Sequence, residues 1–204
     1  HCNLSQFIST HFIMKTLLIF VLSFSFFTSE VPTAPTINSK AITFELKNIS
    51  GETISLNSFK DSKGIILTFL TNNCPIAKMY QNRVKALQEK YSKLGFPVVA
   101  IDPADSMEDM KKVATEKGFN FYYLHDADQK TSFAYGAIVN THTCILTKEK
   151  DGYKIAYIGA IDDNRDESKI TEKYIETAIA SILAKEEIKV TTSTAKGCVI
   201  SYRK

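Results

Sequence analysis

Hydrophobic and polar residues follow two different periods along the chain, and these periods predict its secondary structure. Short apolar or alternating runs predict β-strands at 43–46, 53–56, 65–70, 97–102, 121–124, 143–146 and 153–158. Apolar residues three or four positions apart predict amphipathic helices at 76–94, 106–117 and 175–183, and a short helix is predicted around 129–135. This order of elements predicts an α/β fold in which helices flank a central mixed sheet, with an N-terminal β-hairpin.

The segment before the first strand has the pattern of an export signal. Met14-Lys15 precedes an apolar stretch at 16–27 that is too short to span a bilayer and is followed by polar residues. We therefore predict that residues 1–30 comprise upstream residues and a signal peptide, with residues 1–13 before the true start. The mature protein is then expected to be periplasmic or secreted. The alternative is an uncleaved membrane anchor.

Composition sets the remaining boundaries and excludes one class of partner. Pro32 and Pro35 in a polar context indicate a linker at 31–40. The folded domain is predicted at 41–185, and a polar tail without periodicity is predicted at 186–204.

The 25 basic and 22 acidic residues are interleaved and give a net charge of only +3. No nucleic-acid partner is predicted, because such a balance provides no basic binding surface.

The segment Thr71-Asn72-Asn73-Cys74-Pro75 separates the apolar strand at 65–70 from the helix that follows it. A cysteine at this junction faces unpaired N–H groups and the positive end of the helix dipole, which stabilise thiolate over thiol. Pro75 supports this geometry because proline suits the first helical position. We therefore predict that Cys74 is a nucleophile. The alternative is a buried structural cysteine.

Three other cysteines are candidates to pair with Cys74. Ala77 occupies the position three residues later, so a C-x-x-C motif is absent. Cys2 would be lost with the signal segment, Cys144 falls in a strand as a small hydrophobe, and Cys198 follows a glycine in the tail. We expect Cys198 to be the resolving cysteine, because a mobile tail can approach an oxidised Cys74. Cys144 is the alternative.

Histidine and acidic residues cluster in two places without the spacing of a metal site. His125, Asp126 and Asp128 follow a predicted strand, and Asp162-Asp163-Asn164 has the composition of a turn. Neither group completes a zinc or calcium ligand signature. No metal and no cofactor is therefore predicted.

Several separated motifs resemble one protein family in the same order along the chain. They are Thr71-Asn72-Asn73-Cys74-Pro75, Tyr80-Gln81-Asn82-Arg83, Asp126-Ala127-Asp128-Gln129, Tyr135-Gly136-Ala137, Tyr157-Ile158-Gly159-Ala160-Ile161-Asp162-Asp163-Asn164 and Gly197-Cys198. Together with the predicted elements, they resemble the thioredoxin superfamily and, within it, the peroxiredoxin-like redoxin proteins of the alkyl hydroperoxide reductase/thiol-specific antioxidant group. The resemblance covers roughly residues 40–204.

This resemblance implies a thioredoxin-like fold and thiol chemistry at Cys74. Cys74 would attack a peroxide or a protein disulfide, and the Thr71 hydroxyl would orient the thiolate. An external thiol reductant would then restore the reduced protein, and the disulfide would lie within one chain or across a homodimer. Asn73, Thr141 and His142 are expected to line the pocket.

The chain departs from the family pattern at three positions. Leu67 replaces the proline that opens the active-site motif, and Thr141 replaces the cis-proline. A cis peptide before a non-proline residue costs about 2.5 to 4 kcal/mol, so a trans bond is expected at Thr141. The arginine beside the thiolate is missing, because Arg83 lies on the order of 13 Å along the helix from Cys74. His142 is expected to face Cys74 and, as an imidazolium, to favour its thiolate.

Two functions of different classes follow from these features. The first is an exported, thiol-dependent oxidoreductase of the antioxidant type, which uses Cys74 as its nucleophile. The second is a non-catalytic thioredoxin-fold module that binds a partner or keeps a disulfide for stability. The fold alone does not choose between them.

Overall fold

A seven-stranded mixed sheet forms the centre of residues 34–203, the part of the chain that this computed structural model describes. The strands are β1 (Glu45–Asn48), β2 (Thr53–Ser55), β3 (Gly64–Phe69), β4 (Val98–Asp102), β5 (Tyr122–His125), β6 (Thr143–Glu149) and β7 (Gly152–Gly159). The helices are α1 (Pro75–Tyr91), α2 (Met107–Lys117), α3 (Lys130–Ala134) and α4 (Tyr174–Ala184). The signal segment and Cys2 lie outside the described residues.

The strands are ordered β2-β1-β5-β4-β3-β6-β7 across the sheet. Strands β3, β4 and β5 run parallel to one another, and all other neighbouring pairs are antiparallel. The carboxyl ends of the three parallel strands therefore meet at one edge of the sheet, which is where open α/β sheets build their sites. The loops that follow Phe69, Asp102 and His125 begin at this edge.

Side chains of the central strands alternate between two hydrophobic clusters. Every residue of β3 is buried, with Ile66 in one cluster and Ile65 and Leu67 in the other. A strand buried on both faces is apolar along its whole length, which explains the continuous apolar run in the sequence. We call the cluster that contains Ile66 and Cys74 the α1 face, and the cluster that contains Leu67 and Cys144 the opposite face.

Helices α1, α2 and α4 all pack on the α1 face. Their inward residues are Ala77, Tyr80, Val84, Leu87 and Tyr91 of α1, Met110 and Ala114 of α2, and Ile175, Ala178 and Ile179 of α4. The opposite face is covered by the 3-10 turn Leu56–Phe59, by Tyr135 at the end of α3 and by Ile200 near the C-terminus. The C-terminal segment therefore contributes to the core.

The segment after α4 is ordered against the domain, which corrects the mobile tail expected from the sequence. The N–H of Ser193 donates to the carbonyl of Ile158 at 3.1 Å, and the N–H of Ile200 donates to the carbonyl of Ile138 at 2.9 Å. The side chain of Ile200 is buried. Pairing of this kind uses backbone groups, so it leaves no period in the side chains from which the sequence could predict it.

The observed architecture confirms the predicted fold class. The β1–β2 hairpin precedes a mixed sheet with flanking helices, and most element ends lie within about two residues of the prediction. The main difference is β6, which continues to Glu149. Among the described helices, none has the length and apolar character needed to cross a bilayer.

Candidate active site

Helix α1 starts from Cys74. This residue is the N-cap of the helix, and its Sγ accepts the N–H of Ala77 at 3.3 Å. Pro75 occupies the first helical position, and Cys74 itself is only 3% exposed. The sulfur therefore lies at the strand-to-helix junction predicted from the sequence, at the positive end of the helix dipole.

Cys74 is joined to Cys198 by a disulfide bond. Their Cα atoms are 5.8 Å apart across a separation of 124 residues, and the N–H of Cys198 lies 3.3 Å from Sγ of Cys74. Cys144 is a free thiol on the opposite face, where burial raises its pKa to about 12. The structure thus brings Cys74 and Cys198 together and keeps Cys144 apart from them.

Asn140 connects the loop before Cys74 to the C-terminal tail. Its Oδ1 accepts the N–H of Thr71 at 2.8 Å. Its Nδ2 and its backbone N–H both donate to the carbonyl of Cys198, at 3.2 and 2.9 Å. One buried residue therefore holds both cysteine-bearing segments. Asn140 is not among the residues that the sequence predicts, although it directly precedes Thr141.

Thr71 is buried and is held through its backbone. Within residues 34–203, none of the hydrogen bonds joins the Thr71 hydroxyl to Cys74 in this disulfide form. The orienting role expected for that hydroxyl concerns the reduced thiolate, and it stays a prediction.

Thr141 has a left-handed backbone conformation. Its φ of 69° is unusual for a β-branched residue, and its peptide bond is trans, as the sequence predicts. Its N–H donates to the carbonyl of Phe69 at 2.7 Å, and its hydroxyl reaches the carbonyl of Lys196 at 3.5 Å. Thr141 therefore contacts both the end of β3 and the tail that carries Cys198.

His142 does not face Cys74, and the expected imidazolium neighbour is therefore wrong. Its Nε2 lies 3.8 Å from Sγ of Cys144, and its ring centroid lies 5.9 Å from that of Phe69. Both of these residues belong to the opposite face. Burial lowers the pKa of His142 to about 4, so the ring is neutral at physiological pH.

Arg83 is engaged in a buried ion pair and makes none of the contacts found at Cys74 Sγ. Its Nη1 lies 2.8 Å from both carboxylate oxygens of Asp162 and donates to the carbonyl of Asn164 at 2.7 Å. Its Nη2 donates to the carbonyl of Arg165. The guanidinium thus holds the turn that begins at Asp162 in place.

Within the part of the chain that the structure describes, His, Cys, Asp and Glu side chains form no group of three or more that could hold a metal ion.

The second support of the Cys74 loop is Asp105. One of its carboxylate oxygens accepts the backbone N–H of Asn72, and the other accepts the side-chain amide of Asn73. Asn73 is exposed, and its side-chain amide is bound to this carboxylate, while its place in a substrate pocket stays a prediction. Asp105 is not predicted from the sequence, because it follows Asn73 by 32 residues and belongs to a different loop.

Residues 37–158 match the AhpC/TSA family. The chain belongs to this family. The matched part includes all seven strands except the last residue of β7, together with the loop that carries Cys74, and it ends before Cys198. Membership supports thiol oxidoreductase chemistry in general terms, and it agrees with the resemblance seen in the motifs.

Solved structures share the fold over most of the chain. A hypothetical protein from Sinorhizobium meliloti 1021 is 26% identical with a TM-score of 0.76, covering 84% of this chain and 97% of its own. An uncharacterized conserved protein from Geobacillus kaustophilus is 29% identical with a TM-score of 0.76, covering 82% and 93%. Peroxidoxin BcpB from Mycobacterium tuberculosis, at 16% identity and a TM-score of 0.58, covers 74% and 97% and shows the fold alone. No curated protein matches the chain.

Proposed function

We propose that this AhpC/TSA protein is an exported two-cysteine thiol oxidoreductase, in which Cys74 attacks the substrate and Cys198 resolves the oxidised product. The observation that carries the proposal is the position of the Cys74 sulfur, which lies at the start of α1 and is bonded to Cys198. A peroxide is the first candidate substrate.

The start of α1 favours the reactive form of Cys74. The N–H of Ala77 belongs to the same helical turn as the sulfur, so this donor stays in place when the disulfide is reduced. A hydrogen-bond donor and the positive helix end both stabilise a thiolate relative to a thiol. The thiolate is the form that attacks peroxides and disulfides.

The proposed peroxide cycle has three reactants: the two protein thiols, a peroxide and an external dithiol. The Cys74 thiolate attacks one peroxide oxygen, the O–O bond breaks, and the other oxygen leaves as water or an alcohol after taking a proton. The Cys198 thiol then attacks the sulfur of the Cys74 sulfenic acid, an S–S bond forms, and water leaves. An external dithiol reduces the Cys74–Cys198 bond by two exchange steps and becomes a disulfide itself.

The tail controls access to the nucleophile in this cycle. Cys74 is 3% exposed in the disulfide form, with Cys198 bonded directly to it. Substrate therefore reaches Cys74 only in the reduced protein, after the segment around Cys198 has moved away from α1. Because the disulfide lies within one chain, the cycle does not require the homodimer that the sequence left open.

A protein disulfide is the second candidate substrate, and one observation favours it. Val199 forms an antiparallel bridge with Val139, while the neighbouring Cys198 is bonded to Cys74. An extended peptide of another protein can use the same backbone groups once the tail has left, since strand addition is a common mode of peptide recognition. Its cysteine would then take the place of Cys198.

Export rests on the apolar segment at 16–27, which has the pattern of a signal peptide. The competing hypothesis of a non-catalytic module rests on the buried state of Cys74 and on the missing cis-proline and arginine.

Turnover by the reduced full-length chain tests the proposal. Dithiothreitol-dependent consumption of hydrogen peroxide and reduction of insulin disulfides are measured for the wild type, Cys74→Ser, Cys198→Ser and Cys144→Ser. We expect turnover by the wild type and loss of about a hundredfold or more in Cys74→Ser, since the nucleophile is removed. Cys198→Ser should still complete the first oxidation of Cys74. Comparison of the two substrates assigns the substrate class.

Cys144→Ser is the matched control because its thiol is buried and its pKa is raised to about 12. It should retain the wild-type rate. Faster alkylation of Cys144 than of Cys74 at mildly acidic pH would contradict the site. Equal rates for the wild type and Cys74→Ser with both substrates would support the non-catalytic module.

A further inference from the structure

Two buried carboxyl groups lie beside the loop that precedes Cys74. Asp102 is the last residue of β4 and is 0% exposed, and Asp105 is 4% exposed. Strand alternation places Asp102 on the same side of the sheet as Ala100, which belongs to the α1 face. The ion pairs found within residues 34–203 include neither carboxylate. Burying a carboxylate costs free energy unless hydrogen bonds replace its contacts with water. The hydrogen bonds of Asp102 and Asp105 therefore show what these two groups do.

Both carboxylate oxygens of Asp105 are used to hold the loop. They accept the backbone N–H of Asn72 and the side-chain amide of Asn73, one each. Asn73 directly precedes Cys74, whose Sγ accepts the N–H of Ala77. The two bonds to Asp105 therefore restrain the backbone from which the sulfur is directed at the start of α1.

Asp102 supports Asp105 from the interior of the protein. Its Oδ1 accepts the backbone N–H groups of Ala104 and Asp105, both at 2.9 Å, and its Oδ2 accepts the hydroxyl of Tyr123. The Tyr123 oxygen in turn accepts the side-chain amide of Asn72 at 2.9 Å. The network thus begins and ends at the loop before Cys74.

The network is surrounded by groups from β4, β5, the loop before Cys74 and α1. The titratable groups are Asp102 of β4, Asp105 in the loop that follows β4, and Tyr123 of β5. The loop before Cys74 and α1 contribute the uncharged Asn72, Asn73 and Gln81. Burial, followed by the adjacent Asp105 carboxyl, raises the pKa of Asp102 to about 7. Asp102 therefore gains a buried negative charge close to neutral pH.

We propose that Asp105, supported by Asp102, is a positioning residue for Cys74: its carboxylate holds Asn72 and Asn73 so that the Cys74 sulfur meets the N–H of Ala77 in the first turn of α1. The inference deepens the proposed function, and it rests on Cys74 being the nucleophile of that function. Asp105 acts through the loop, and it does not contact the reacting sulfur in any bond that the structure contains.

The direction of the effect separates positioning from simple charge. A carboxylate near a thiol disfavours the thiolate, so removing its charge alone would make Cys74 more reactive. Releasing the loop has the opposite effect, because the sulfur then loses its alignment with the helix N–H. A slower Cys74 in Asp105→Asn therefore indicates positioning, and a faster Cys74 indicates charge alone.

Alkylation of Cys74 by iodoacetamide tests the proposal in the reduced full-length chain carrying Cys198→Ser. The rate at the Cys74 peptide is followed by mass spectrometry from pH 5 to pH 9. Asn at position 105 can accept only one of the two bonds, so we expect Asp105→Asn to slow alkylation about tenfold at pH 7. Asn73→Ala removes one of the bonds from the loop side, and it should slow alkylation about threefold.

The pH dependence of Cys74 alkylation gives a second measurement, which a merely structural role of Asp102 and Asp105 would not change. The parent should show an inflection near pH 7, where Asp102 ionises, in addition to the inflection of the Cys74 thiol. Asp102→Asn should remove the first inflection, because asparagine does not titrate, and it should also slow alkylation at every pH, because the amide cannot accept both sets of bonds that support Asp105. The matched control is Asp128→Asn, an exposed carboxylate paired with Lys130, which should follow the parent throughout.

Two results would overturn the proposal. One is an Asp105→Asn rate equal to or above the parent rate. The other, decisive if Asp105→Asn does not fold, is an unchanged rate in Asn73→Ala. Alkylation needs neither peroxide nor a disulfide substrate, so failure of the proposed function would appear as absent turnover while the effect of Asp105 on Cys74 persists.

Discussion

The carbonyl oxygen of Asn140 lies 2.1 Å from the position that a Cβ atom on Gly197 would occupy. Real Cβ atoms do not approach an oxygen this closely, so only glycine permits this contact. Gly197 directly precedes Cys198, and Asn140 binds both the Cys198 carbonyl and the N–H of Thr71. The absence of one side chain thus allows the two cysteine-bearing segments to meet.

Gly197→Ala should displace Cys198 from Cys74. The added methyl group requires the tail or the backbone of Asn140 to shift, which weakens the disulfide geometry. We expect the Cys74–Cys198 bond to be reduced at least about tenfold more readily, a shift of roughly 30 mV for a two-electron couple. The measurement is the fraction of linked peptide across a series of glutathione redox buffers. Lys196→Ala, at an adjacent exposed position, should titrate like the wild type.

Thr141→Pro should destabilise the fold. Proline fixes φ near −65°, whereas this residue has a φ of 69°, and its N–H donates to the carbonyl of Phe69. Losing this hydrogen bond and forcing the backbone out of its conformation should cost about 3 kcal/mol or more. Urea unfolding gives the value. Thr141→Asn is the control, because asparagine tolerates the left-handed region, and a Thr141→Pro variant as stable as this control would contradict the loop geometry.

Protonation of His142 should weaken the fold in acid. Burial lowers its pKa to about 4 from the ordinary 6.5, so the unfolded chain binds a proton that the folded protein does not. Stability contributed by the neutral ring is therefore complete above about pH 6.5 and is lost as the pH falls toward 4. The wild type should lose on the order of 3 kcal/mol more than His142→Gln over this window, measured by urea unfolding at each pH. If the wild type and His142→Gln lose the same stability over this pH window, the ring of His142 is already solvated in the folded protein.

Arg83→Met should destabilise the protein without changing the intrinsic reactivity of Cys74. The variant leaves the buried carboxylate of Asp162 without its cation, which costs about 3 to 5 kcal/mol. Adding Asp162→Asn should restore part of the loss. Arg165→Met, an exposed arginine on the same loop, serves as the control for unfolding and for Cys74 alkylation. A slower Cys74 in folded Arg83→Met would assign the arginine a role in the chemistry.

Local patterns were sufficient to predict the elements and the place of Cys74. The strand β3 is apolar because both of its faces are buried, and Pro75 marks the first residue of α1. These features depend on neighbours in sequence, so they are visible in a single chain. The position of His142 was also accessible in principle. It directly precedes β6, and the alternation of that strand, continued by one residue, places it on the same face as Cys144.

The contacts that complete the site could not be predicted in this way. Asn140 reaches Thr71 across 69 residues, and Asp105 reaches Asn72 across 33. An asparagine or an aspartate in a loop has many local partners, so nothing in its own neighbourhood specifies these distant ones. The order of the tail was hidden for a related reason, since backbone groups carry much of its pairing.

The most direct test of the central claim is disulfide mapping of the reduced full-length chain after treatment with hydrogen peroxide. Non-reducing digestion and mass spectrometry identify which cysteine peptides become linked. The account predicts one bond, between the Cys74 and Cys198 peptides of a single chain, formed with peroxide and removed by mild dithiol reduction. Accumulation of Cys74 sulfenic acid without a linked peptide would contradict the resolving role of Cys198. A Cys74–Cys198 bond that resists strong reductant would contradict catalysis by this pair and identify the disulfide as structural.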